Sequence, residues 1–167
     1  ICPKTQQAAV VDPSEAAPVQ KAIEQQGVEL TTILNTHHHW DHVGGNKELK
    51  AKYPELIIYG HESDSGRIPE QTVFLKSGDE VRFGEQTGTF LHNPGHTSGA
   101  ITFVFGKTAF TGDTLFAAGC GRLFEGTPDL YSENHPPTSS WFDCIHSYAF
   151  FAASISPATE RAIATST

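Results

Sequence analysis

The chain has 167 residues, enough for one domain with its own hydrophobic core. Nineteen Asp and Glu against eleven Lys and Arg give a formal net charge of −8. That balance disfavours a nucleic-acid backbone as the main partner, because phosphate binding needs clustered cations. It leaves acidic small molecules open, since bound divalent cations reverse the local field.

Three cysteines, Cys2, Cys120 and Cys144, stand far apart. A sparse, odd set suits reduced thiols in a reducing compartment, so a cytoplasmic protein is expected. No apolar run reaches membrane-spanning length, and the longest candidate, Ala100–Phe105, is the size of a strand. No membrane association is expected. The chain opens on Ile1 without an initiator Met and its start reads as cut, which leaves a targeting segment, for instance a mitochondrial one, open.

In chain order, Ala8–Val11 reads as a strand closed by the turn Asp12-Pro13. Ser14 is a candidate cap for a helix whose Ala16, Val19 and Ile23 share one face, with Gly27 as its stop. Thr31–Asn35 is a buried strand, Thr36–His42 a polar loop, Asn46–Tyr53 a helix and Leu56–Tyr59 a strand. Val73–Leu75 and Val81–Phe83 flank Ser77-Gly78-Asp79 as a hairpin would. Thr87–Leu91, Ala100–Phe105 and Lys107–Phe110 extend the strand series. Helices alternating with strands early, then strands in a row, predict an α/β sandwich with sheets inside and helices outside. After Pro128 the strand rhythm is lost.

The chemistry concentrates in Thr36-His37-His38-His39-Trp40-Asp41-His42, directly after a buried strand. Imidazole and carboxylate ligands suit zinc, iron or manganese, and imidazole favours the first two. Alternate residues of an extended segment point the same way, so His37 and His39 can converge on one ion while Asp41 and His42 aim beside it. A solvated histidine-rich loop is the bland alternative, and a strand such as TTILN leading into it argues against that. His96, in the turn Asn93-Pro94-Gly95-His96-Thr97, and Asp113, after Phe110-Thr111-Gly112, are weak signals singly and gain value beside the cluster.

The segments TTILNTHHHWDHVGGN, LHNPGHTSGAITFVF and FTGDTLFAAGCGRLFEGTP together resemble glyoxalase II, the hydroxyacylglutathione hydrolases of the metallo-β-lactamase superfamily. The resemblance implies an αββα sandwich, cut at both ends. Residues 1–128 would form the metal-binding domain and 129–167 a divergent remainder of it, with the family's C-terminal helical domain missing. It implies two divalent metal ions, zinc first, with iron or a mixed pair as alternatives. His37, His39 and His96 would hold one ion, Asp41 and His42 the other, and Asp113 would bridge them. Asp41 and Asp113 would be the catalytic carboxylates. His146, in Asp143-Cys144-Ile145-His146-Ser147-Tyr148, would add the last ligand, although it follows Asp113 more closely than in the family. Arg122, Phe124 and Tyr148 would face substrate, with Phe124 where the family often has Tyr. Cys120, between two glycines, reads as structural.

The implied activity is hydrolysis of S-(2-hydroxyacyl)glutathione, such as S-D-lactoylglutathione, to D-lactate and glutathione, a step of methylglyoxal detoxification. The partner is then a small glutathione thioester, and the chain is expected to act as a monomer. The missing helical domain implies weakened turnover. A mono-iron persulfide dioxygenase-like enzyme and a non-catalytic truncated product are the alternatives.

Overall fold

A computed structural model describes residues 1–116, 119–129 and 149–151. The chain begins with strand β1 (Gln7–Val11), helix α1 (Ala16–Gln26) and strand β2 (Glu29–Leu34). Two short helices, α2 (Trp40–Val43) and α3 (Asn46–Lys52), lead to β3 (Ile57–His61) and β4 (Val73–Leu75). Strands β5 (Val81–Phe83), β6 (Gln86–His92), β7 (Ile101–Phe105), β8 (Thr108–Phe110) and β9 (Ala149–Phe151) follow. The first four strands form a parallel sheet in the order β1-β2-β3-β4. The other five form a second sheet in sequence order, antiparallel except where β8 pairs with β9.

Successive side chains of a strand face opposite sides, and a parallel sheet covered on both sides needs apolar residues on each. The adjacent pairs Ile33-Leu34 and Ile58-Tyr59 meet that need. Ile33 and Ile58 pack with Ala16 and Val19 of α1, Val43 of α2 and Leu49 of α3. Leu34 and Tyr59 pack with Leu75 and, from the second sheet, with Val81, Ile101 and Phe103. Among the described residues the layers are therefore helices, parallel sheet and second sheet, the expected α/β sandwich. No helix among them is long and apolar enough to cross a membrane.

Three local expectations differ from the structure. Val73–Leu75 and Val81–Phe83 do not form a hairpin, because β4 pairs with β3 and β5 with β6. The turn at Ser77–Asp79 passes the chain from one sheet to the other, so a turn signal located the reversal but not its partners. Helix α1 starts at Ala16 with Glu15 rather than Ser14 at its cap and no capping side chain, while Gly27 ends it in the left-handed conformation as expected. The end of the Thr36–His42 loop winds into a helical turn, Trp40–Val43, because Val43 is drawn into the helix-side core.

Candidate metal centre

The functional side chains gather where the strands of the parallel sheet end, the edge at which open α/β sheets hold ligands. Asp12 follows β1, His37–His42 follow β2, His96 lies in the turn between β6 and β7, and Asp113 follows β8. His39 Nδ1 lies 3.2 Å from His37 Nε2 and 2.9 Å from His96 Nε2. His42 Nε2 is 3.3 Å from Asp113 Oδ1 and 3.7 Å from Asp41 Oδ2, and His96 Nε2 is 3.4 Å from Asp113 Oδ2. Asp113 thus stands between the two groups, touching a histidine of each.

The hydrogen bonds behind these rings assign their tautomers. Thr36 Oγ1 donates to Asp12 Oδ2 at 2.6 Å, so at 3.1 Å it accepts from His37 Nδ1. His96 Nδ1 donates to the Arg122 carbonyl at 2.6 Å. Both histidines are left with a bare lone pair on Nε2, and both lone pairs face His39. A proton on His39 Nδ1 can satisfy only one of them, so nitrogens converging this closely are left in repulsion unless a cation lies among them. Tetrahedral zinc, with Zn–N of about 2.0–2.1 Å, separates its nitrogens by about 3.3 Å, close to the spacings here. The donor set His37, His39 and His96 therefore fits a divalent cation.

Gly121 allows the next loop to close on this group. A Cβ at that position would sit 2.6 Å from the Asp113 carbonyl and 2.7 Å from His96 Nδ1. Phe124 also belongs to this loop; its ring centroid is 5.4 Å from that of His39 and 5.2 Å from that of His96, both near perpendicular.

The sequence pattern of the metallo-beta-lactamase superfamily matches residues 1–148. The chain belongs to that superfamily. A hydroxyacylglutathione hydrolase from Synechocystis sp. is 48% identical over 170 residues, covering 92% of this chain and 66% of the relative. Another, from Trichodesmium erythraeum, is 50% identical over 152 residues, covering 84% and 59%. The chain thus spans 59–66% of the length of these curated relatives. Among solved structures, ETHE1 from Myxococcus xanthus superposes with a TM-score of 0.67 at 27% identity, covering 82% of this chain and 61% of that one.

The electrostatics differ between the two donor groups of this metallo-β-lactamase site: one keeps its imidazoles neutral and free to accept a cation, and the other favours positive charge. Burial holds the pKa of His37 well below the usual histidine range, and the neighbouring imidazoles of His42, His96 and His39 push it the same way. Burial and then His96 lower that of His39. Burial opposes the charged form of His42 too, but the hydrogen bonds and charges of Asp113 and Asp12 prevail and raise it to about 10. Burial favours the neutral form of Asp113, and the bond and charge of His42 override it, holding its carboxyl low. A proton held between His42 and Asp113 occupies a position that a second cation can take, releasing it.

Asp12 was read in the sequence only as the start of a turn. It is fully buried, accepts from the Thr36 amide at 2.7 Å and the Thr36 hydroxyl at 2.6 Å, and accepts from His42 Nδ1 at 3.0 Å. One of its oxygens lies within 4.8 Å of a ring nitrogen of His37 and of His42, yet these three donors already bond to both oxygens. It therefore acts as the support that orients His42 and, through Thr36, His37. The only sequence signal for it was a carboxylate ending a strand in Val-Val-Asp-Pro, which any turn could produce.

The remaining predicted residues fall as follows. Asp41 sits at the outer rim with its side chain 51% exposed. His38 turns away from the ligand group and donates through Nδ1 to Asp64 at 3.1 Å. Arg122 is exposed, and it is its carbonyl that meets His96. Phe124 is 61% exposed and Trp40 81% exposed, two aromatic faces beside the centre. Cys120, expected to be structural, is exposed, so packing does not account for it. His146 and Tyr148 lie outside the described residues.

Proposed function

We propose that the chain is a metal-dependent thioester hydrolase of the hydroxyacylglutathione hydrolase type, acting on S-(2-hydroxyacyl)glutathione and releasing glutathione and a 2-hydroxy acid. The observation that carries this reading is the pair of adjoining donor groups joined by Asp113, with the 119–127 loop packed over them. The curated relatives' names support the substrate class. His37, His39 and His96 would hold one cation and Asp41, His42 and Asp113 the other, with His146 as a further ligand. Zinc is the first choice, and iron or a mixed pair suits the same donors.

Cations held by these residues would supply Lewis acidity and bring the pKa of a bound water toward neutrality. The chain's own residues do the rest. Asp41, exposed at the rim, accepts a hydrogen bond from the attacking water and aims it at the thioester carbonyl. Asp113 fixes the spacing of the two donor groups. Asp12 and the Arg122 carbonyl hold His42 and His96 in the tautomers that leave Nε2 free. Phe124, and Arg122 and Tyr148 by resemblance, would form the wall against glutathione. The thiolate departs with little acid help.

Pairing of β8 with β9 supports placing Ala149–Phe151 in the same domain as residues 1–128. A cytoplasmic monomer acting in methylglyoxal detoxification is the setting this reading proposes. Metal-loaded protein assayed in parallel on S-D-lactoylglutathione and on glutathione persulfide tests it. Thioester turnover without oxygen uptake is expected. Oxygen uptake with the persulfide, and no thioester turnover, would overturn it in favour of a mono-iron dioxygenase.

A further inference from the structure

Beside the candidate metal centre lies a set of charged groups that the proposed chemistry does not use. Asp64, fully buried after β3, accepts through Oδ1 from Arg67 Nη2 at 2.5 Å and from His38 Nδ1 at 3.1 Å. Gly99 makes the room for it, because a Cβ there would collide with the Asp64 carboxyl group. Arg67 then reaches outward. Its Nη1 donates to Glu125 Oε1 at 2.5 Å and its Nη2 to Ser98 Oγ at 2.8 Å. The Ser98 amide closes the ring by donating to Glu125 Oε2 at 2.7 Å. One guanidinium therefore joins three separate segments: the end of β3, the turn that carries His96, and the loop that carries Arg122 and Phe124.

That loop also rests on the centre through the Phe124 ring and through backbone groups. The Gly121 amide donates to the Asp113 carbonyl at 2.7 Å and the Phe124 amide to the His96 carbonyl at 3.2 Å. Gly126 lies against Gly95 so closely that a Cβ would come within 2.7 Å of the Gly95 Cα. Charge-assisted bonds are about twice as strong as neutral ones, so Glu125 holds the loop more firmly than either of these amide bonds. Both Arg67 and Glu125 are on the protein surface at their outer ends, where the ion pair holds Glu125 ionised, down to a pKa of about 2.

We propose that Arg67 is a positioning residue that latches the 119–127 loop to the His96 turn, by joining Glu125 to Ser98 and Asp64, and so sets substrate affinity without serving as a metal ligand. Its effect on substrate rests on the thioester-hydrolase reading; its effect on the loop does not. The planar fork of the guanidinium is needed, because a lysine ammonium cannot meet Asp64, Ser98 and Glu125 from one position.

The test compares metal-loaded wild type with Arg67→Ala, Arg67→Lys, Glu125→Ala and the double alanine variant. Hydrogen exchange should quicken roughly tenfold in the 119–127 amides of Arg67→Ala, with β2 unchanged, as expected for a local opening. KM for S-D-lactoylglutathione should rise roughly tenfold while kcat stays within about threefold, with unchanged metal content, as expected when uniform binding is lost. Arg67→Lys should behave like Arg67→Ala, and the double variant should be no worse than either single one. Unchanged loop exchange, additive effects in the double variant, or full rescue by lysine would overturn the latch. If Arg67→Ala does not fold, Glu125→Ala, which leaves the Asp64–Arg67 pair intact, decides by the same exchange measurement. If wild type shows no thioester turnover, the hydrolase reading falls and loop exchange alone decides the latch.

Discussion

Replacing Asp12 with Asn separates the support of the metal centre from its ligands. Asp12 has a φ of 48°, a left-handed conformation that Asn tolerates and Ala does not, so Asn leaves the backbone undisturbed. The amide must keep its oxygen on the Thr36 N–H, which can only donate. Its NH2 group then occupies the place of Oδ2, facing the Thr36 hydroxyl and His42 Nδ1. An N–H cannot face an N–H, so His42 must turn to the other tautomer, lone pair on Nδ1 and proton on Nε2. That proton points at Asp113, 3.3 Å away, where the second cation would bind. Changes of this kind in supporting groups cost roughly 10–100-fold in metal affinity, or about 1.4–2.8 kcal/mol. The Thr36 hydroxyl must also re-aim, adding a stability loss of about 1–3 kcal/mol for a disturbed buried network. Titration with zinc against a competing chelator, alongside urea denaturation, reads both quantities. One ion should bind nearly as in wild type and the second more weakly. A second ion bound with wild-type affinity would refute the tautomer argument, and a first ion weakened as much as the second would show that Asp12 acts on His37 through Thr36 as strongly as on His42.

Removing metal with a chelator should lower Tm, because a ligand at 1,000 times its Kd contributes about 4 kcal/mol and apo protein retains the crowded lone pairs of His37, His39 and His96; an unchanged Tm would argue against a bound cation. Asp113→Ala should cost more thioester turnover than His146→Ala, since it removes the group that touches both donor sets; equal, small losses would argue against a two-metal centre. Glu125, with its pKa lowered from 4.5 to about 2, should contribute stability that is fully present above pH 4.5 and lost as pH falls toward 2. Glu125→Gln should be less stable than wild type at pH 7, converge on it as pH falls toward 2, and so show a flatter stability profile, as read by denaturation midpoints from pH 2 to 7.

Much of the site is visible in the order of residues because its ligands are local. His37, His39, Asp41 and His42 follow one strand, so strand periodicity and loop composition suffice to place them together. His96 and Asp113 are far away in sequence, and spacing alone offers no reason to join them to the first group; resemblance supplied that link. The support residues were missed for a different reason. Asp12, Asp64, Arg67 and Glu125 act through partners that, the adjacent Asp64–Arg67 pair apart, lie more than twenty residues away, and as single residues they look like turn formers and surface charges. The hairpin expected at Ser77–Asp79 failed on the same ground, because a turn reveals where the chain reverses but not which sheet receives it. Strand faces were the most legible feature, since Ile33-Leu34 and Ile58-Tyr59 announce burial on both sides.

The central claim, that these residues hold two metal ions for thioester hydrolysis, is tested most directly by titrating metal into apo protein while following S-D-lactoylglutathione hydrolysis. Turnover should be absent without metal, rise with added zinc or iron, and level off near two equivalents per chain. Turnover already complete in the apo protein, or none with two ions bound, would contradict the account.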